Sequence, residues 1–188
     1  MEFLTELWLP ILIAAVFVFI VSSITHMVIP LHAGDYQQLP NEEAMLDGMR
    51  SEAVPPGDYV FPFCNSIKDM ETDETMAKFN RGPVGFMTVL PNGPMAIGKS
   101  LLHWFLYSLM LGIFVAYITR IAYAPGAETM AIFRMTGTIA VMGYATAHIP
   151  NSIWKGVSWA TTGRFIFDGL LYGLATGAAF CWFWPELG

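Results

Sequence analysis

The apolar positions of this chain gather into four long runs separated by polar stretches. The runs are Leu7 to Leu31, Leu101 to Tyr123, Thr129 to Ile149 and Phe165 to Trp184. A helix rises 1.5 Å per residue, so about 20 apolar residues cross the hydrocarbon of a bilayer. The pattern therefore predicts four transmembrane helices, over 7–31, 101–123, 129–149 and 165–184. Prolines punctuate them. Pro10 stands in the opening turn of the first, where a missing N–H costs least, and Pro125-Gly126, Pro150 and Pro185 end the other three. The first run is expected to be an uncleaved span, because Met1 to Glu6 holds two acids and no Lys or Arg and the apolar stretch exceeds the core of a secretory leader.

Residues 32–98 form the one sizeable hydrophilic region. They carry ten acids (Asp35, Glu42, Glu43, Asp47, Glu52, Asp58, Asp69, Glu71, Asp73, Glu74) and four bases. Asn41 followed by Glu42 and Glu43 reads as an N-cap with acids in the first turn, opening a helix that runs to Arg50. A second short helix is predicted over 73–79. Aromatic and β-branched runs at Tyr59–Phe63 and Val84–Leu90 predict two short strands, the first confined to an edge or bulge by Pro62. Two strands are marginal alone in water, so this element needs a floor of its own spans, lipid or another protein. The predicted fold is an all-α integral membrane protein, a four-transmembrane-helix bundle with a small acidic α+β cytoplasmic insertion between spans 1 and 2. Residues 150–164 form a cytoplasmic interfacial connection between spans 3 and 4.

Composition agrees with a membrane location. Charged residues are 13% and hydrophobic residues 55% of the chain, with mean hydropathy +0.51, whereas soluble domains carry about 25% charged residues. A net charge of −6 excludes a nucleic-acid partner, which demands a clustered basic surface. Orientation follows from the basic residues, which accumulate on the cytoplasmic side. Arg50, Lys68, Lys78, Arg81 and Lys99 in the connection between spans 1 and 2, with Lys155 and Arg164 in that between spans 3 and 4, make seven of the nine. Both termini are therefore expected outside. The six tryptophans fit the same scheme as interfacial belts, with Trp8, Trp182 and Trp184 at outer ends and Trp104, Trp154 and Trp159 at inner ends.

Candidate chemistry concentrates at the inner ends. His26 and His32 close span 1, His103 opens span 2, His148 closes span 3, and Asp168 lies one turn into span 4. Of these five potential ligands, His26, His103, His148 and Asp168 form a candidate set for a metal ion, and histidines at equal depth could also hold haem. An ionisable residue inside a span is costly, and His148, His103, Lys155 and Arg164 are the expected partners of Asp168. Gly93 to Ser100 satisfies GxxxxGK[ST]. It nevertheless precedes an apolar span, lacks a magnesium-binding acidic strand end, and has Pro94 where a phosphate-cradling N–H belongs, so no nucleotide is expected. Cys64 and Cys181 fall on opposite sides of the predicted membrane and cannot pair. Gly169, Gly173 and Gly177 make a small-residue stripe on span 4, and Thr136, Ala140, Gly143 and Ala147 a matching face on span 3. Such faces let helix backbones approach closely.

Three stretches, HMVIPLHAGDYQQLPNEEAMLDGMR, RGPVGFMTVLPNGPMAIGKS and SIWKG through FDGLLYGL to FCWFWP, resemble a group of small bacterial membrane proteins of about this length to which no function is attached. The resemblance covers nearly the whole chain and implies a bacterial inner-membrane location, without an activity, cofactor or catalytic residue. The leading expectation is a non-catalytic accessory or scaffold subunit of a larger membrane complex, its partners being lipids and other subunits or copies of itself. The alternative is a haem- or metal-binding electron-transfer protein using the inner-face histidines. A small transporter comes third, against which stand four spans without inverted repeats or interrupted helices.

Overall fold

The computed structural model describes residues 2–186. Its chain divides into two units, residues 1–35 with 96–188 and residues 36–95. The first unit is helical. Helix α1 (Glu2–Ser23) continues through a π-helical turn (Ile24–Val28) into a 3-10 turn (Pro30–His32), and α5 (Ile97–Ala122), α6 (Thr129–Ala145), α7 (Ile149–Lys155) and α8 (Trp159–Trp182) complete it. The second unit holds α2 (Glu42–Ser51), β1 (Gly57–Phe61), α3 (Ile67–Met70), α4 (Asp73–Arg81) and β2 (Gly85–Val89). Among the described residues three helical segments are long and apolar enough to cross a membrane, Glu2–Val28, Ile97–Ala122 and Trp159–Trp182.

Helix α6, expected over 129–149, is shorter. It stops at Ala145, passes through a 3-10 turn (Thr146–His148) and restarts as α7 with Pro150 in its first turn. Pro150 cannot donate to the preceding turn and its ring crowds the carbonyl four residues back, at Thr146, so the regular helix ends four residues before the expected Ile149. Gly156, at φ +68, closes α7 in the left-handed region that glycine adopts without penalty. Helix α8 starts at Trp159, earlier than the expected Phe165. Ser158 caps it by accepting from the Ala160 N–H, and the polar turn Thr161 to Arg164 is therefore helical. Hydropathy marks where a helix enters hydrocarbon, and the helix itself begins before that point. Glu128 opens α6 in the same way, its carboxylate accepting from Met130 N at 2.8 Å and Ala131 N at 2.6 Å.

The four long helices of the first unit pack in a ring, α1 against α5 and α8, and α6 against α5 and α8. Successive helices run antiparallel. The start of α1 and the end of α5 meet through Glu6 and Arg120 at 2.8 Å, and Trp184 donates to the Ala124 carbonyl at 3.1 Å. The core is a column of apolar side chains, with Leu7, Ile11 and Val18 from α1, Val115 from α5, Ile132 and Ala140 from α6, and Phe180 from α8. Two of the tryptophans expected at the helix ends pack against neighbouring elements. Trp184 is buried, and Trp104 is half-buried and donates to Ser22 Oγ at 2.9 Å. In each the indole N–H has an acceptor, as a buried indole requires.

Helices α6 and α8 meet through glycines. A Cβ on Gly169 would lie 2.6–2.8 Å from Ala145, backbone included, and one on Gly173 would lie 3.0 Å from the Gly137 carbonyl oxygen. Gly177 faces Phe133. The residues opposite the α8 stripe are therefore Phe133, Gly137, Val141 and Ala145. Thr136 and Ala140 are fully buried, Gly143 instead meets Leu111 of α5, and Ala147 is exposed. The glycines let the two backbones approach closely.

In the second unit β1 and β2 pair antiparallel, with Tyr59 opposite Met87 and Val60 opposite Phe86. The Phe61 ring lies over Gly85. Asn41 does not cap α2 with its side chain; it sits at φ +50, a left-handed conformation that Asn tolerates better than most residues. Ser66 and Thr72 are the side chains that cap α3 and α4.

Gly169→Ala should lower stability by about 1–3 kcal/mol, the usual cost of overpacking, because Ala145 contributes backbone at the contact. Gly163→Ala, where the new methyl meets nothing within 4 Å, should be neutral or slightly stabilising. Thermal unfolding in detergent compares them, and equal midpoints would remove the close-packing account.

Candidate functional site

Where the chain leaves α1 it bends back on itself. The π-helical turn, closed by Ile29 N–H donating to the Ile24 carbonyl at 2.9 Å, admits an extra residue per turn and is followed at once by the 3-10 turn. Together they bring His26 and His32 side by side, rings stacked with centroids 4.2 Å apart and 13° between planes. Both rings face Asp168 of α8. His32 Nε2 lies 2.8 Å and His26 Nε2 3.6 Å from Asp168 Oδ2. Asp168 is 1% exposed.

The other ring nitrogens are held from behind. His32 Nδ1 is 2.6 Å from Asp35 Oδ2, and His26 Nδ1 is 3.1 Å from the Ser22 carbonyl oxygen. Asp35 is gripped in turn by Arg164, whose Nε donates to Oδ1 at 2.6 Å and whose Nη2 also donates to Thr161 at 3.2 Å. Burial works against an ionised Asp35 but is outweighed by hydrogen bonds from His32 and Arg164 and by their charge, so its carboxyl sits below the usual carboxylate range. The result is a continuous chain of polar contacts, Arg164, Asp35, His32, Asp168, that joins the end of α1 to the first three turns of α8.

The sequence-derived set is only partly assembled. His26 and Asp168 come together, with His32 as the third member. His148 stacks on Phe165, rings 4.6 Å apart and 6° from parallel, and is not in the His26–His32–Asp168 group. His103 is exposed on the first turns of α5. Of the partners expected for Asp168, Arg164 is taken by Asp35, and His32 and His26 occupy the carboxylate. Asp35 was missed as a site residue, although its three-residue spacing from His32 suits one turn of 3-10 helix. Because His26 and His32 stand beside each other, they do not face across a porphyrin plane, and this pair does not suit axial haem ligation.

Deeper in the bundle Trp104, Tyr107, Tyr144 and Tyr172 form a cluster with centroids 5.4–5.9 Å apart, mostly edge-on or tilted. Tyr107 donates to the Gly143 carbonyl at 3.2 Å. Among the described residues two buried side-chain oxygens have no hydrogen-bond partner, Thr119 Oγ1 and Asp168 Oδ1.

The second unit presents a different kind of surface. No residue of 36–95 is buried. One face of its sheet, Tyr59, Phe61, Met87 and Val89, is half-covered, while the Val60–Phe86 pair on the other is open. Phe63 is 71% and Ile67 80% exposed.

Comparison of the chain with protein-family models, curated proteins and solved structures gave no match.

Replacing Arg164 by Gln leaves Asp35 facing His32 alone and should lower stability by about 1–3 kcal/mol. Arg134→Gln, on the exposed face of α6, should not. Unfolding midpoints of the two variants in detergent check this, and an unaltered Arg164→Gln midpoint would mean that the ion-pair chain contributes nothing.

Proposed function

We infer that this chain is a four-span bacterial inner-membrane protein, both termini outward, serving as a non-catalytic subunit that docks a partner through its acidic insertion. The observation that carries the reading is the second unit itself, which buries none of its side chains yet exposes Phe63, Ile67 and the Val60–Phe86 pair. Exposed apolar clusters of this kind mark interaction surfaces. The same unit, residues 36–95, carries nine acids against four bases. The charge favours a partner with a basic rim around an apolar centre and disfavours a second copy of the same face or an anionic lipid surface.

Four spans are supported by length. Helix α6 and its 3-10 turn together run from Thr129 to His148, roughly 30 Å of rise, which matches the hydrocarbon thickness. The excess of basic residues in the connections 32–98 and 150–164 supports the orientation.

Two experiments test this. In a chain with Cys64 and Cys181 replaced by Ala, a membrane-impermeant maleimide should label Ala124→Cys in intact spheroplasts and Val157→Cys only after permeabilisation. Labelling of both from one side would mean that α6 does not cross. Gentle extraction should yield a particle larger than the 20.8 kDa chain with one reproducible partner, lost in the Val60→Asp/Phe86→Asp double variant. A lone chain in both preparations would overturn the subunit reading.

A further inference from the structure

Independently of any docking partner, the geometry at the end of α1 points to a metal site. We propose that His26, His32 and Asp168 bind one divalent first-row transition ion through His26 Nε2, His32 Nε2 and the Asp168 carboxylate. The three donors already lie within 4.8 Å of one another. Ligand atoms about 2.0–2.2 Å from a tetrahedral ion stand roughly 3.3 Å apart. The 3.6 Å between His26 Nε2 and Asp168 Oδ2 is close to that spacing; on binding, the 2.8 Å at His32 opens by about half an ångström and the two stacked rings splay so that both Nε2 lone pairs converge on the ion.

Two independent features single this cluster out from an ordinary buried ion pair. The first is the orphaned oxygen. Asp168 is almost wholly buried and its Oδ1 has no hydrogen-bond donor, a costly arrangement in a protein interior. An ion seated between the imidazoles and the carboxylate can take this oxygen as a second donor or draw the group toward itself. The second is the orientation of the rings. Each histidine spends Nδ1 on an acceptor behind it, the Asp35 carboxylate for His32 and the Ser22 carbonyl for His26, so each presents Nε2 to Asp168. Metal-binding imidazoles are oriented in this way, with carboxylate or carbonyl acceptors fixing the tautomer.

Two imidazoles and one carboxylate are a borderline donor set, suited to zinc or ferrous iron and too rich in nitrogen for calcium or magnesium. His26 has 40% of its side chain exposed, which supplies an entry path from the end of the bundle. Three protein donors leave at least one coordination position free for water or a small anionic ligand. Trp104, through Ser22 Oγ, braces the α1 turn whose carbonyl holds His26.

The test uses the full chain in detergent, purified without a histidine tag and stripped by chelator. Zinc is added and bound metal counted after dialysis, and cobalt(II) provides an absorption spectrum of the same site. The expected result is one ion per chain for the wild type and for His103→Ala. His26→Ala and Asp168→Asn should lose stoichiometric binding while keeping wild-type circular dichroism and elution volume. Asp35→Asn should weaken binding about 10–100-fold, the usual effect of removing an outer partner. His26 is the useful position because its exposed side chain can be removed with little effect on packing. Absence of saturable zinc or cobalt binding by the wild type would overturn the proposal. So would binding that His26→Ala and Asp168→Asn leave unchanged.

Discussion

A carboxyl group buried inside a helical bundle has to find polar partners, and the arrangement of the end of the helical unit where α1 meets α8 follows from Asp168. An ionisable group in a transmembrane helix costs a few kcal/mol when alone. Here the cost is offset by folding the chain after α1 back toward α8. The π-helical turn, the 3-10 turn and the Asp35–Arg164 pair all serve that fold-back: the turns place His26 and His32, Asp35 holds His32 from behind, and Arg164 holds Asp35. Each group makes sense only with the next in place, which is why the segment 24–35 forms part of the helical unit although it contains little regular helix.

The opposite requirement governs the contact between α6 and α8. There nothing polar draws the helices together, and proximity comes from the absence of side chains at Gly137, Gly169 and Gly173. Tight van der Waals fit is the source of specificity there. One helix pair is thus fixed by packing and another by charge, and α8 takes part in both.

Much of the helical layout could be read from hydropathy because long apolar runs and prolines are strong signals. What hydropathy could not supply was rotation and reach. It started α8 at Phe165 and so missed that Thr161 and Arg164 lie on the same helix as Asp168. It identified small faces on α6 and α8 but not their facing, and Gly143 meets Leu111 of α5 instead. The site was half legible. Depth alone grouped five potential ligands, whereas convergence depends on the order of helices around the ring and on the bend after Ser23, neither of which leaves a mark in periodicity. His103 and His148 share the depth but not the place. Asp35 was hidden because it lies in what reads as loop, three residues from a histidine that had no visible reason to turn inward.

A double-mutant cycle between His32 and Asp168 tests most directly whether a buried carboxylate met by imidazole organises this end of the molecule. Unfolding free energies would be measured in detergent for the wild type, His32→Ala, Asp168→Asn and the double variant. The account predicts strong coupling, on the order of 1–3 kcal/mol, with the double variant less destabilised than the sum of the single changes. Simple additivity would show that the two side chains do not depend on each other and would contradict it.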